Sequence, residues 1–275
     1  MPELPELEVV RDVLNTRVVG KKITRVELLQ PTAAIVVRDV TGRGFVETLT
    51  DAKIENVARR GKFLLFDFDN AAKLAINPKL TGRLQLAARQ DRRYKKTAFV
   101  FTFADETELR YFDDKAMGQV YLTDDVKRVP DFARMGPEPF DMSREQFRER
   151  LKPFRGEIKG VLTRGEFLAG IGNAYADEIL WRAQLHPYRK RTQLTAEEIE
   201  RLYDAIQTTL RESIALVRAA MGENIHLKPR DFFQVHLRAG EACPRCGSTI
   251  SEITAQQRIT NFCRTCQAGG LIRGM

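Results

Sequence analysis

The chain has 275 residues, and its 45 Lys and Arg against 37 Asp and Glu give a formal net charge of +8. With 43% apolar and 30% charged residues it can build folded cores, which excludes a disordered polyelectrolyte, and its length suits two domains. No apolar run reaches the roughly 20 residues of a membrane-spanning helix and no basic-then-apolar leader opens the chain, so a cytoplasmic protein is expected rather than a secreted or membrane one. The basic balance favours an anionic partner, either nucleic acid or an acidic membrane surface.

Taken in chain order, Pro5 to Val18 predicts a helix. Pro5 suits its first position, Glu6 and Glu8 its first turn, and Val10, Leu14 and Val18 recur at fours. From Lys22 to about Leu122 the pattern becomes short alternating or apolar runs, such as Phe63 to Phe68, Phe99 to Phe103 and Gly118 to Leu122. Turn residues separate them at hairpin intervals, which predicts an antiparallel sandwich or barrel. Pro130 to Pro139, with Gly136 between, reads as a linker. Beyond it the period is helical. Ser143 with Gln146 and Thr195 with Glu198 form capping boxes, and Ile199, Leu202, Ile206, Leu210, Ile214 and Val217 share one face of a long core helix. The expected order is domain 1–129, linker 130–140, helical domain 141–239 and ribbon 240–275.

The last segment holds all four cysteines, Cys243, Cys246, Cys263 and Cys266, in a C-x2-C, sixteen-residue, C-x2-C pattern. Each pair forms a knuckle whose thiolates can share a tetrahedral ion, and the gap suits a hairpin. One structural zinc ion is expected; the alternatives are two disulfides, which a reducing compartment disfavours, or four unrelated thiols, which the spacing disfavours. Four thiolates leave no open position for catalysis.

The N-terminus reads Met-Pro-Glu-Leu-Pro-Glu-Leu-Glu. Removal of Met1 would expose the secondary amine of Pro2, and an α-amine is far more often neutral at pH 7 than a lysine. The positive end of the following helix depresses its pKa further, and Glu3 is placed to shuttle protons. Such an amine could attack a sugar C1′ and form an iminium. The same residues also suit an ordinary helix start.

Three features occur together: this N-terminus, a Gly-Ile-Gly-Asn-Ala-Tyr-Ala-Asp-Glu segment from Gly170, and the terminal four-cysteine ribbon. The chain thereby resembles the formamidopyrimidine-DNA glycosylase family of base-excision repair enzymes from residue 2 to about 267. The resemblance implies an α+β multidomain fold: an N-terminal antiparallel β-sandwich flanked by helices, a helical helix–two-turns–helix domain and a C-terminal zinc-ribbon hairpin. It implies Pro2 as Schiff-base nucleophile, Glu3 as its partner acid, Lys62 for β-elimination and phosphate binding, and Arg258 for δ-elimination from the hairpin tip. The turn before Asn173 would bring glycine backbone and a helix N-terminus to a phosphate.

The chain departs from the family pattern where the space left by a flipped base is filled. Leu80 stands where a methionine is usual, and Lys115-Ala116-Met117-Gly118 where Arg-Arg-Phe-Gly is. Leu80 and Met117 can still wedge between bases, whereas Lys115 lacks the planar fork that reads an orphan base. Lys96 replaces a DNA-contacting histidine, and the Met221–Ala242 segment is short for one that includes a lesion-capping loop. The implied function is a bifunctional DNA glycosylase and abasic-site lyase, acting as a monomer on double-stranded DNA that contains damaged bases or abasic sites. A preference for oxidised pyrimidines or abasic sites over oxidised purines stays open, as does a non-catalytic binder of damaged DNA.

Overall fold

The structure is a computed structural model that describes residues 1–255 and 258–269, without the side chains of Ala255 and Arg258. The chain divides into two compact units, residues 1–134 with 217–229, and residues 135–216 with 230 onward.

In the first unit, α1 (Leu4–Arg17) starts one residue before the proline expected to open it. The reason is a reciprocal capping box: Glu3 caps the helix, and the Glu6 carboxylate accepts from the Glu3 main-chain N at 2.9 Å. Next come β1 (Ile23–Leu28), the short α2 (Thr32–Val36), β2 (Val37–Asp39) and the short α3 (Phe45–Leu49). Seven further strands follow: β3 (Ile54–Arg60), β4 (Phe63–Phe68), β5 (Lys73–Asn77), β6 (Gly82–Ala88), β7 (Thr97–Phe103), β8 (Thr107–Asp113) and β9 (Gln119–Thr123). They form a four-stranded sheet, β1-β7-β8-β6, and a five-stranded sheet, β2-β9-β5-β4-β3. The pairings are antiparallel except that of the three-residue β2 with β9.

Every residue of β7 is buried, which explains its continuous rather than alternating apolar run. Phe45 of α3 covers Phe99 and Phe101, and the Phe99 ring stacks on Tyr111 of β8 with centroids 5.5 Å apart. Arg110, also fully buried, pairs with Glu108 at 2.6 Å and donates to the carbonyls of Asp91 and Ala88 at 3.1 and 3.0 Å. That guanidinium fixes the loop leading to Lys96 from behind.

The second unit carries α4 (Arg144–Leu151), α5 (Ile158–Leu162), α6 (Asn173–Arg182) and most of α7 (Ala196–Met221). Both expected capping boxes form: Ser143 accepts from Gln146 N at 3.2 Å, and Thr195 accepts from Glu198 N at 3.3 Å. On α7, Leu202, Ile206, Leu210 and Val217 are buried, as the apolar periodicity requires. The segment around Gly136 is held firmly against the rest of this unit. Its N–H donates to the Gly165 carbonyl at 2.8 Å, and a Cβ there would lie 2.4 Å from the Glu166 carbonyl oxygen. The unit ends in the hairpin of β10 (Ile250–Ala255) and β11 (Arg258–Cys263). No described helix is long and apolar enough to cross a membrane.

Candidate functional site

The residues singled out from the sequence fall in both units, and each set is built by its own local structure. In the first unit Pro2 is buried and immediately precedes Glu3, itself 2% exposed at the N-terminus of α1. The Pro2 nitrogen therefore sits at the positive end of a 14-residue helix. Pro2 also lines a small apolar pocket, together with Glu6, Leu64, Ile76, Tyr111 and Met221.

Lys62 is half-buried in the two-residue turn between β3 and β4, where Gly61 adopts a φ of 57°. Arg59, on the same hairpin, ion-pairs with Glu8 of α1 and donates to the Gly61 carbonyl at 3.2 Å. The turn bearing Lys62 is thus tied to the helix that bears Pro2 and Glu3.

Leu80 and Met117 occupy two turns of the first unit and are 42% and 50% exposed, high values for large apolar side chains. Lys96 and Lys115 are exposed too. Sequence reasoning missed what lies beneath them. The carboxylate of Asp113 is fully buried and accepts from the Thr81 hydroxyl, from Gly118 N at 2.5 Å and from Lys115 N at 3.3 Å. Beside it the Tyr111 hydroxyl is buried with no hydrogen-bond partner, and burial together with the Asp113 charge pushes that phenol well above its usual range. The only sequence signal was an aspartate at the end of an apolar strand, just before a turn.

In the second unit, Gly170 has a φ of 90° and Gly172 caps α6, whose first residue is Asn173. The Asn173 amide donates to the Ile259 carbonyl at 2.7 Å, while its Oδ1 is buried without a partner. Arg258 opens β11 opposite Ala255, and its side chain lies outside the described residues.

Lys159, Asp177 and His236 were also missed. Lys159 is 7% exposed, ion-pairs with Asp177 at 2.6 Å and donates to the Ile259 carbonyl at 2.9 Å. Asp177 further meets His236 Nδ1 at 2.8 Å and accepts from Asn261 N at 3.2 Å. The adjacent Glu178 accepts from the main-chain N–H groups of Gln234, Val235 and His236 at 2.8–2.9 Å, yet burial still pushes its carboxyl up. These two carboxylates of α6 fasten the 234–236 segment and the hairpin to the helix.

The four cysteine sulfurs lie within 4.8 Å of one another, with Cys243 to Cys266 at 3.9 Å and Cys246 to Cys263 at 3.5 Å. Thiolates about 2.3 Å from a tetrahedral ion would be spaced by about 3.8 Å, so the set fits a soft divalent cation such as zinc. Donors from outside are already aimed at the sulfurs. Trp181 Nε1 points to Cys243 Sγ at 3.4 Å and Cys266 N to Cys263 Sγ at 3.4 Å, and Gly247, with a φ of 75°, closes the first knuckle.

Comparison with known proteins places these features in context. Residues 1–120 match the family model for the formamidopyrimidine-DNA glycosylase N-terminal domain, and residues 135–223 match that for its H2TH domain. Residues 240–269 match a zinc finger found in FPG and IleRS. A formamidopyrimidine-DNA glycosylase of Pelotomaculum thermopropionicum is 38% identical over 97% of this chain and 99% of its own. A Lactococcus lactis Fpg, solved in complex with an abasic site containing DNA, superposes with a TM-score of 0.86 at 33% identity, covering 97% of this chain and 100% of that one. MutM in complex with carbocyclic 8-oxo-G containing DNA gives a TM-score of 0.85 at 34% identity, covering 98% and 100%.

Proposed function

The chain belongs to the formamidopyrimidine-DNA glycosylase family, and from that premise we propose that it is a bifunctional DNA glycosylase and abasic-site lyase acting on damaged duplex DNA. The observation that carries this reading is the setting of Pro2, held at the N-terminus of α1 beside the buried Glu3 and lining an apolar pocket. Dipole and burial both disfavour the charged form of an amine there, so once Met1 is removed its lone pair is available at neutral pH.

In the proposed reaction Pro2 N bonds to C1′ of the damaged nucleotide as the C1′–base bond breaks; Glu3 then carries the proton released from Pro2 N to O4′, so that the C1′–O4′ bond opens and the nitrogen lone pair forms the C1′ iminium. The resulting iminium acidifies C2′–H. Loss of that proton expels the 3′ phosphate by β-elimination, with Lys62 holding phosphate, and δ-elimination at the 5′ side falls to Arg258. Lys96, Lys115 and the α6 N-terminus at Asn173 contribute phosphate contacts, and Leu80 with Met117 fills the space the flipped nucleotide leaves. Cys243, Cys246, Cys263 and Cys266 would hold one zinc ion, which supplies rigidity to the hairpin and no reaction chemistry.

The L. lactis complex contains an abasic site and the MutM complex an oxidised purine. We assign this chain the same class of lesion. A second reading concerns the opposite base. With Lys115 in place of a planar guanidinium, discrimination of the orphan base is weaker than in relatives that carry arginine there.

Borohydride reduction tests the mechanism, because it converts an iminium into a stable amine. Wild-type protein incubated with an abasic duplex and borohydride should form a covalent adduct, and Pro2→Gly should form little. No adduct from protein whose N-terminal mass shows Pro2 exposed would refute the lyase. Retention of Met1 in protein that binds damaged DNA without cleaving it would favour a binder.

A further inference from the structure

Three segments assigned above to DNA meet at one residue, two of them at its side chain. Asp113 closes β8 and its carboxylate is fully buried. Oδ1 accepts from the Thr81 hydroxyl in the turn that bears Leu80 and, at 3.3 Å, from Lys115 N; Oδ2 accepts from Gly118 N at 2.5 Å, just after Met117. The Asp113 main chain adds two more ties, donating to the Lys96 carbonyl at 3.0 Å and accepting from Ala116 N at 3.1 Å. Thr81 Oγ1 also accepts from Lys115 N at 3.0 Å, which links the two turns directly.

Tyr111 sets the spacing between them. A Cβ on Gly82 would lie 2.1 Å from its hydroxyl, and one on Gly118 would lie 1.9 Å from it. Each turn therefore lies flat against the phenol.

Leu80 and Met117 project into solvent and gain little order from packing of their own. A wedge that enters a base stack must already be ordered, or insertion also costs the entropy of fixing its loop. Charge-assisted hydrogen bonds to a buried carboxylate provide that order. We propose that Asp113 is a positioning residue that holds Leu80 and Met117 as one preset double wedge, so that its carboxylate governs how efficiently the protein opens the stack at a lesion. The proposal rests on the glycosylase reading and deepens it.

The test separates opening of the stack from the covalent chemistry. A duplex carries a tetrahydrofuran abasic analogue beside 2-aminopurine, whose fluorescence rises when a wedge unstacks it. A single-stranded abasic oligonucleotide, which has no stack to open, is used for borohydride trapping. Asp113→Asn and Thr81→Val should each lower the 2-aminopurine response and duplex base excision by about tenfold, the size expected for losing one charge-assisted hydrogen bond. A Leu80→Ala/Met117→Ala double variant should lower the 2-aminopurine response likewise, and single-strand trapping should stay at the wild-type level in the Asp113 and Thr81 variants. Thr81→Ser keeps the hydroxyl and should match wild type.

Thr81→Val also serves if Asp113→Asn does not fold. An unchanged 2-aminopurine response in the Asp113 or Thr81 variants overturns the proposal, and so does a parallel fall in single-strand trapping. If wild-type protein never traps, the lyase reading fails, and the 2-aminopurine signal still decides the wedge.

Discussion

The Asn173 side-chain amide donates to the Ile259 carbonyl at 2.7 Å, which ties the first residue of α6 to the residue that follows Arg258. Lys159 reaches the same carbonyl at 2.9 Å and the Thr260 hydroxyl at 2.8 Å, so the foot of β11 is held by an amide and an ammonium together. The cation is itself held by Asp177. Replacing Lys159 with Met takes the ammonium from the buried Asp177 carboxylate, which keeps only His236 and Asn261 N, and should cost about 3 kcal/mol. Asn173→Ala should cost only about 0.5–1.5 kcal/mol. Urea unfolding of the second unit, followed through Trp181, ranks the two, and equal costs would contradict the ion-pair assignment.

Trp181 is the only tryptophan in the chain, and its indole N–H is directed at Cys243 Sγ. The Arg245 guanidinium lies over its ring at 4.1 Å. Its emission should therefore report the state of the four-cysteine centre. A zinc chelator should shift the emission to the red as the knuckles loosen, and added zinc should reverse the shift. An emission spectrum indifferent to chelation, in protein shown to have lost its metal, would falsify the coupling.

The close fit of Tyr111 against Gly82 and Gly118 predicts a specific rescue. Gly118→Ala places a methyl group on the phenol oxygen and should destabilise the first unit by about 1–3 kcal/mol, the usual cost of overpacking. Tyr111→Phe removes a buried hydroxyl that has no partner, so alone it should be neutral or stabilising. Combined, the two substitutions should cost less than the sum of their separate effects. A double-mutant cycle on thermal midpoints measures the difference.

Burial, reinforced by the Arg83 charge, holds the His226 imidazole below its usual value of 6.5. In the window between that lowered value and 6.5 the unfolded chain binds a proton that the native site resists. Stability should therefore decline as pH falls below about 6.5. Thermal midpoints between about pH 7.5 and pH 5.5 should show the decline, and His226→Gln should flatten it. The same slope in both proteins would assign the effect to another group.

Lys96 and Lys115 are exposed in the first unit and serve as phosphate contacts in the proposed complex. Each alanine substitution should weaken damaged and undamaged duplex alike, and should lower the slope of log affinity against log salt by about 1 for each phosphate no longer neutralised. Titrations at several salt concentrations read that slope. If Lys115→Ala instead changed the ranking of opposite bases, Lys115 would be a base reader rather than a phosphate ligand.

Where sequence and structure agree, the interactions are short in chain distance. The Ser143–Gln146 and Thr195–Glu198 boxes join atoms three residues apart, and each cysteine knuckle spans four residues. The Glu3–Glu6 box escaped notice because glutamate is not among the usual helix-capping residues, although its reach is just as short. The two-sheet architecture was also legible, since the alternation of the strands and their turns is a local pattern.

Amino-acid order by itself pointed to the first helix, the two capping boxes, the long core helix, the strand-rich stretch, the four-thiolate cluster and, through the N-terminal and glycine motifs, the family; the short helices α2 and α3 within the strand-rich stretch were not legible there. Only the tertiary structure decided which of two neighbouring aspartates matters, with Asp113 fully buried under two turns and Asp114 exposed. It alone made Lys159 an interior cation rather than one more surface charge. The partner of Asp113 at Thr81 is 32 residues away, and the Ile259 carbonyl that Lys159 bonds is 100 residues away. A side chain's burial and charge state are set by such distant neighbours, and no local window of sequence contains them.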